Sequence, residues 1–252
     1  MTRPITLITG GSRGLGRNGA LHLAKAGHDL ILTYHSRQDE AERALAEVRA
    51  AGAKAQALRL DAGDVASFAA FAQTLERTLQ EHWGTGRFQA LVNNAGTGLH
   101  APFQETTEAQ FDQLMNVHFK GVFFLTQRLL PLLADGGRIL NLSSGLARFA
   151  LPGSSAYAAM KGAVEVLTRY LAKELGSRRI SVNVLAPGAI ETDFNGGAVR
   201  DNPALNQAIA AQTALGRVGL PDDIGAVVAA LLGPGTGWIN AQRIEASGGM
   251  FL

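Results

Sequence analysis

Ile5-Thr-Leu-Ile-Thr9, followed by Gly10-Gly-Ser12-Arg13-Gly14-Leu15-Gly16, is the stretch on which the fold turns. A short apolar run bounded by glycines reads as a buried strand, and a helix continues from about Leu15 to Ala26. Glycines at such a turn let backbone approach a pyrophosphate, whose charge the helix N-terminus favours. Strand–helix turns also carry glycine for plain packing, and the spacing here is Gly-x-x-x-Gly-x-Gly rather than Gly-x-Gly-x-x-Gly. The position directly after the first strand is what points to a nucleotide.

Working outward, Leu30–Tyr34 reads as a second strand. A site for NAD(H) carries an acidic residue near this point to bond the adenosine ribose. Here the chain reads Tyr34-His35-Ser36-Arg37, and Arg13 stands in the glycine turn. Two arginines and no carboxylate favour a 2′-phosphate, hence NADP(H) over NAD(H). The plainer alternative is that Arg37 opens a solvated helix over Asp39–Ala50. Lys54–Leu60 gives a third strand, and Asp61 after it suits either an adenine edge or a turn. A helix over Val65–His82 leads to a fourth strand, Phe88–Val92. That strand ends in Asn93-Asn94-Ala95-Gly96, which allows close approach beneath a cofactor or makes a simple turn.

Glu108–Leu133 is predicted as one helix, with Asn116 among apolar neighbours and in need of polar partners. Strands follow at Arg138–Leu142 and Ile180–Leu185. Pro187-Gly188-Ala-Ile190-Glu-Thr192 then falls at the strand end that suits contact with a nicotinamide carboxamide. Residues 193–215 read as an irregular loop with one short helix, a lid over the substrate. A helix from Pro221 to Leu232 and a strand over Gln242–Glu245 complete the chain. The alternation predicts an α/β fold: a Rossmann-type, doubly wound parallel sheet of about seven strands, as a single domain over 1–252.

The chemistry concentrates between Asn141 and Lys161. Ser144 lies just past a strand's carboxyl end, where open α/β sheets hold their ligands. Ser154 or Ser155 can cap a helix to about Leu175, which puts Tyr157 and Lys161 four apart on one face. A hydroxyl, a phenol and an ammonium converge. As hydride reaches a carbonyl carbon, the oxygen needs a proton; Tyr157 can give it, Ser144 can hold that oxygen, and Lys161 is expected to lower the phenol's pKa. Tyr-x-x-x-Lys alone is also common on ordinary surface helices.

Composition narrows the field. The 252 residues carry 23 basic and 21 acidic side chains and no cysteine, which argues against nucleic acid and excludes disulfide or thiolate chemistry. No run has transmembrane length, and Met1-Thr-Arg-Pro leads straight into the first strand, so a soluble, cytoplasmic protein without a membrane partner is expected. The histidines at 22, 28, 35, 82, 100 and 118 show no metal-ligand spacing, so no catalytic metal is expected.

Taken in order, Thr9-Gly10-x-x-x-Gly14-x-Gly16, Asp61, Asn93-Asn94-Ala95-Gly96, Asn116, Ser144, Tyr157-x-x-x-Lys161 and Pro187-Gly188-x-x-x-Thr192 resemble the short-chain dehydrogenase/reductase family. The likeness is to its 3-oxoacyl-carrier-protein-reductase-like ketoreductases. The resemblance covers nearly the whole chain. It implies a catalytic tetrad of Asn116, Ser144, Tyr157 and Lys161, with Asn116 anchoring a relay water and Lys161 bonding the nicotinamide ribose. It also implies a homotetramer. The cofactor is expected along Gly10, Ser12, Arg13, Gly14, Leu15 and Gly16; Tyr34, His35, Ser36 and Arg37; Asp61 and Ala62; Asn94, Ala95 and Gly96; Tyr157 and Lys161; and Pro187, Gly188, Ile190 and Thr192. Two places depart from the family pattern: Asn240-Ala241-Gln242 stands for Thr-Gly-Gln, and Ser247-Gly248-Gly249 for Asp-Gly-Gly.

The expected substrate is a small ketone or aldehyde, or the matching alcohol. Ser144, Tyr157, Leu146, Phe149, Leu151 and Phe194 would surround it, and the apolar walls favour an apolar flank. His100 and Arg148 could read an acidic tail there but are as readily solvated surface. Two other readings differ in class: an NAD-linked alcohol or sterol dehydrogenase, and a non-catalytic NADP-sensing protein.

Overall fold

The computed structural model describes residues 3–252; the Met1-Thr2 lead-in to the first strand lies outside them. The strands are β1 (Ile5–Ile8), β2 (Asp29–Tyr34), β3 (Ala55–Arg59), β4 (Phe88–Asn93), β5 (Leu133–Leu142), β6 (Ser181–Pro187) and β7 (Arg243–Ala246). They form one parallel sheet in the order β3-β2-β1-β4-β5-β6-β7. The helices are α1 (Gly14–Lys25), α2 (Gln38–Ala50), α3 (Phe68–Trp83), α4 (Glu108–Met115), α5 (Gly121–Leu129), α6 (Ser155–Glu174), α7 (Ala198–Asp201), α8 (Pro203–Ala211) and α9 (Pro221–Leu232).

Both sheet faces are covered, which is why the strands read as continuous apolar runs rather than alternating ones. Successive side chains still point to opposite faces. Leu7, Ile31, Leu91 and Ile139 pack with Leu75, Leu79, Leu125 and Leu129 of α3 and α5. Ile8, Leu32, Val92 and Leu140 pack with Leu23, Leu45, Ile224 and Val228 of α1, α2 and α9. The strand order reverses between β1 and β4, and the carboxyl ends there open the crevice in which such sheets hold ligands.

The structure corrects two expected segments. The helix predicted over Glu108–Leu133 ends at Leu129, and Leu133 already belongs to β5. Its middle is a π-helical turn over Asn116–Lys120, closed by the Gly121 N–H on the Asn116 carbonyl. Gly121 permits that turn to press on the loop after β3, since a Cβ there would lie 2.0 Å from the Ala62 carbonyl oxygen. The segment 193–215 is largely helical. Asn202, the residue before Pro203, caps α8 by accepting the Leu205 N–H at 3.1 Å. Asn202-Pro203 is thus a cap followed by a first-turn proline. At α6, Ser154 occupies the cap position, but its side chain makes no cap bond.

Ala241, where the resembled family places glycine, is left-handed at φ 60°. An L-residue pays a steric penalty there that glycine escapes. Ala241→Gly is therefore expected to raise unfolding stability by about 1 kcal/mol in denaturant titration.

Directly before β2, His28 is buried with its Nδ1 2.8 Å from the Thr6 hydroxyl. Burial, helped by Arg138 and Arg3, lowers its pKa from 6.5 to about 4. The unfolded chain therefore binds the proton first. Stability from this group is complete above about pH 6.5, declines as pH falls, and levels off below about 4. The melting temperature should fall over that window, and more gently in His28→Asn.

Candidate active site

The glycine turn after β1 is held shut against the end of β4. Thr9 Oγ1 accepts the Asn94 and Ala95 N–H groups at 3.0 Å each, and Asn94 Nδ2 donates to the carbonyls of Thr9 at 2.9 Å and Gly10 at 3.0 Å. A Cβ on Gly16 would lie 2.2 Å from the Gly10 carbonyl oxygen, so no other residue fits. The space a Cβ on Gly14 would fill looks across to Thr192 Cβ at 3.9 Å, so the loop after β6 closes over the turn. Arg13 makes no side-chain cap bond at the start of α1, leaving that helix end open to an anion. This narrow, glycine-lined cradle fits the phosphates of a dinucleotide. Ser12 is buried within it, and Leu15 packs beneath against the core.

At the end of β2, Tyr34 is half-buried while His35, Ser36 and Arg37 are exposed. Arg37 donates to Glu40 at 2.7 Å and lies 3.7 Å from Asp39. Asp61 behaves as a turn acid: its Oδ1 accepts the Gly63 N–H at 2.8 Å, with Oδ2 3.4 Å from His35. After β6, the Gly188 N–H donates to the Ala246 carbonyl at 3.1 Å, and Ile190 bridges to Gly219.

Ser144, Tyr157 and Lys161 are brought together as expected. Ser144 leaves β5 in extended conformation, and Arg243 donates to its carbonyl at 3.3 Å while Arg243 is paired with Glu165 at 2.7 Å. Lys161 is buried and donates from Nζ to the Leu142 carbonyl at 2.7 Å, 5.5 Å from the centre of the Tyr157 ring. Burial lowers its pKa to about 8. The phenol departs from expectation. Burial pushes the Tyr157 pKa up, and the hydrogen bond with Ser144 only partly opposes it. Burial therefore sets the direction of this phenol's shift.

Asn116 is half-buried at the head of the π turn, with its Cβ towards Gly63. The side chain from this helix that reaches the reacting group is His118, which the sequence reading considered only as a metal ligand. Its ring meets Tyr157 edge-to-face at 5.1 Å and 83°. Nothing local signals this; a histidine in an apolar helix is legible as functional only once α6 is packed beside it.

Of the expected substrate walls, Phe194 stands beside Tyr157 with ring centres 6.0 Å apart. Leu146 is half-buried and Leu151 exposed. Phe149 instead packs on Phe251 at 4.7 Å, beneath the Arg148 guanidinium. Arg148 holds the C-terminal segment, donating to both Glu245 oxygens at 2.8 Å and to the Met250 carbonyl at 2.8 Å. His100 packs over the turn at Gly153, where a Cβ would lie 2.2 Å from its ring. A groove of about 480 Å³ beside Arg49, Lys54, His82 and Trp83 lies at the amino ends of the strands, away from these residues. Among the described residues no helix is long and apolar enough to cross a membrane.

A serine, a tyrosine and a lysine gathered beside a glycine-lined cradle are side chains suited to a hydride-transferring oxidoreductase. Comparison with known proteins agrees. The family model described as Enoyl-(Acyl carrier protein) reductase matches residues 10–251. The hydroxynaphthalene reductase-like protein Arp2 of Metarhizium brunneum is 36% identical over 97% of this chain and 94% of its own length. Among solved structures, the promiscuous reductase LugOII, which catalyses keto-reduction at C1 in lugdunomycin biosynthesis, superposes with a TM-score of 0.94. It is 37% identical, over 100% of this chain and 99% of that one. The angucycline C-6 ketoreductase LanV with bound NADP superposes at 0.93, with 36% identity over 98% of this chain and 95% of that one. The chain belongs to the short-chain dehydrogenase/reductase family, as a reductase that passes hydride from a nicotinamide cofactor to a carbonyl.

Because the cradle has no room at Gly16, Gly16→Ala should weaken NADPH binding at least about tenfold by fluorescence titration, the equivalent of 1.4 kcal/mol. Thermal melting run alongside should report a folded protein.

Proposed function

We propose that this chain is an NADPH-dependent ketoreductase for a flat, polycyclic aromatic ketone, with Tyr157 as the general acid. The observation that carries this is the geometry of Tyr157, hydrogen-bonded with Ser144 and with the buried Lys161 ammonium 5.5 Å from the centre of its ring. A phenol held there can donate to the oxygen of a ketone under reduction. NADPH supplies the hydride when bound. Ser144 fixes the carbonyl oxygen; Tyr157 releases its proton to it; Lys161 steadies the phenolate left behind. Asn116 serves as the backbone anchor of the π turn behind this group.

The substrate class is supported by the relatives, whose names refer to hydroxynaphthalene and angucycline chemistry, and by Phe194 beside the phenol. LanV has also been solved with NADP and rabelomycin. Residues 193–215 act as the lid in this reading. Arg13 and Arg37, with no carboxylate at the end of β2, support the 2′-phosphate. The pairing of Arg37 with Glu40 favours a second reading, NAD(H) use, which the same assay measures. Phe111, Phe123, Phe124 and Tyr170 lie exposed on α4, α5 and α6, which supports a homotetramer formed through these helices.

The test follows cofactor absorbance with tetralone-type and polycyclic ketones, β-keto esters and acetoacetyl thioesters, with NADPH and NADH in parallel. Turnover with NADPH on the aromatic ketones is expected. Tyr157→Phe should lose it by about a hundredfold or more. Turnover that survives Tyr157→Phe, or a clear preference for NADH, would overturn the corresponding part of the reading.

A further inference from the structure

Three loops meet over the reacting group, and two glycines let them interlock. Residues 97–101, after β4, lie between the loop before α6 and the lid. On one side the His100 ring covers Gly153, where a Cβ would lie 2.2 Å from its Cε1, and the Ala101 N–H donates to the Gly153 carbonyl at 3.0 Å. On the other side, a Cβ on Gly98 would lie 1.5 Å from Asn195 Oδ1, 2.4 Å from Cγ and 3.0 Å from Nδ2. The Gly98 backbone is not left-handed, so what bars a side chain there is the seated amide of Asn195.

Asn195 reaches this seat at the head of three consecutive left-handed residues, with φ 51° at Asn195, 67° at Gly196 and 80° at Gly197. Asparagine is one of the few residues besides glycine that enter this region. The rest of the lid is stiff. Arg200 is paired with Asp193 and Asp201, and Asn206 donates to Glu191 at 2.8 Å and to the Val199 carbonyl at 3.0 Å. The far end is strapped to residues 248–251. The Ala214 and Leu215 N–H groups donate to the Gly249 and Gly248 carbonyls at 3.2 and 3.1 Å, and the Phe251 N–H donates to the Gln212 carbonyl at 3.0 Å. A stiff body tied at its root takes its height from the point where its tip rests. The tip rests on Gly98, and the residue beside it is Phe194, whose ring centre lies 6.0 Å from that of Tyr157. That spacing is ordinary aromatic contact, so the lid lies low across the phenol.

We propose that the seat of Asn195 on Gly98 determines substrate specificity, setting the height of Phe194 over Tyr157 so that ketones on a planar ring system enter and puckered ones are held out. A planar ring presents only the thickness of its π system to Phe194. A saturated ring carries axial hydrogens on both faces and needs the lid raised. The proposal rests on the reading of 193–215 as a lid and of Tyr157 as the general acid, and it deepens the reading of a flat substrate.

The experiment compares acenaphthenone, which is flat, with trans-1-decalone, which is puckered, at saturating NADPH. Gly98→Ala puts a methyl where the amide oxygen lies and raises the lid. The ratio of kcat/KM for the flat over the puckered ketone should fall about tenfold, through a higher KM for the flat ketone with its kcat little changed. Asn195→Gly clears space for that methyl and suits the left-handed backbone, so Gly98→Ala/Asn195→Gly should recover most of the ratio. Hydrogen exchange over residues 193–201 should quicken in Gly98→Ala and return towards the wild-type rate in the double variant. Thermal melting and NADPH titration confirm that all variants are folded and loaded. A wild-type ratio near one, an unchanged ratio in Gly98→Ala, or a fall that Asn195→Gly does not repair overturns the proposal. So does faster exchange at an unchanged ratio, since the seat would then hold the lid without selecting the substrate. Failure of the proposed function looks different. Acetoacetyl thioesters outrunning the aromatic ketones, or full turnover in Tyr157→Phe, defeats that reading itself and leaves the flat-to-puckered ratio as the test of the seat.

Discussion

A single buried cation constrains the rest of this molecule. Lys161 is 5% exposed, and an ammonium out of water is tolerated only with partners and with its pKa drawn down. Its Nζ donates to the carbonyl of Leu142, the last residue of β5. That bond fixes the height of α6 against the sheet. Tyr157, one turn earlier, then falls beside Ser144, which leaves the same strand two residues on. The geometry of the reacting group is thereby the geometry of one helix docked on one strand end.

The docking is held from behind by polar groups that an apolar core would not need. Asn93 of β4 donates to Asn141 of β5 at 2.8 Å and to Thr126 of α5 at 3.1 Å; Asn141 in turn donates to Thr168 of α6 at 2.9 Å. Every member is buried and partnered, and a satisfied network of this kind specifies one register where sliding would leave donors unpaired. From the front, Glu165 accepts from Ser143 at 2.6 Å and from Arg243 at 2.7 Å, so β5, α6 and β7 meet at one carboxylate. Arg148 extends this tie to the chain's last residues through Glu245. The C-terminal segment is therefore part of the support of Ser144, which explains why Arg148 and Phe149 face it.

What was legible in the sequence follows the range of the interactions involved. β1, its glycine turn and α1 are local, and their reading matches the structure to within a residue or two. The spacing from Tyr157 to Lys161 is a helical constraint that any packing would honour. The segment from Glu108 to Leu129 is different. Its apolar pattern is helical throughout, but at the π turn over Asn116–Lys120 the chain packs Gly121 against the Ala62 carbonyl, some sixty residues earlier in the chain. The resemblance names Asn116 from this segment; the ring contact of His118 with Tyr157 is legible only in the packed structure. The phenol's pKa shows the same limit. Lys161 is visible in the sequence as a neighbour, but the burial that raises the phenol's pKa belongs to the folded environment.

Lys161 and His118 share the enclosure of Tyr157: one is bonded to the Leu142 carbonyl, and the other meets the phenol ring edge-to-face at 5.1 Å. Gly96 belongs to the same arrangement. Its place in Asn93-Asn94-Ala95-Gly96 reads as backbone kept bare for a cofactor, yet the atom its missing Cβ would strike first is His118 Cε1. The glycine that suits a cofactor loop is also the one that admits the imidazole, so the loop after β4 joins the cofactor cradle to the reacting group through a single residue.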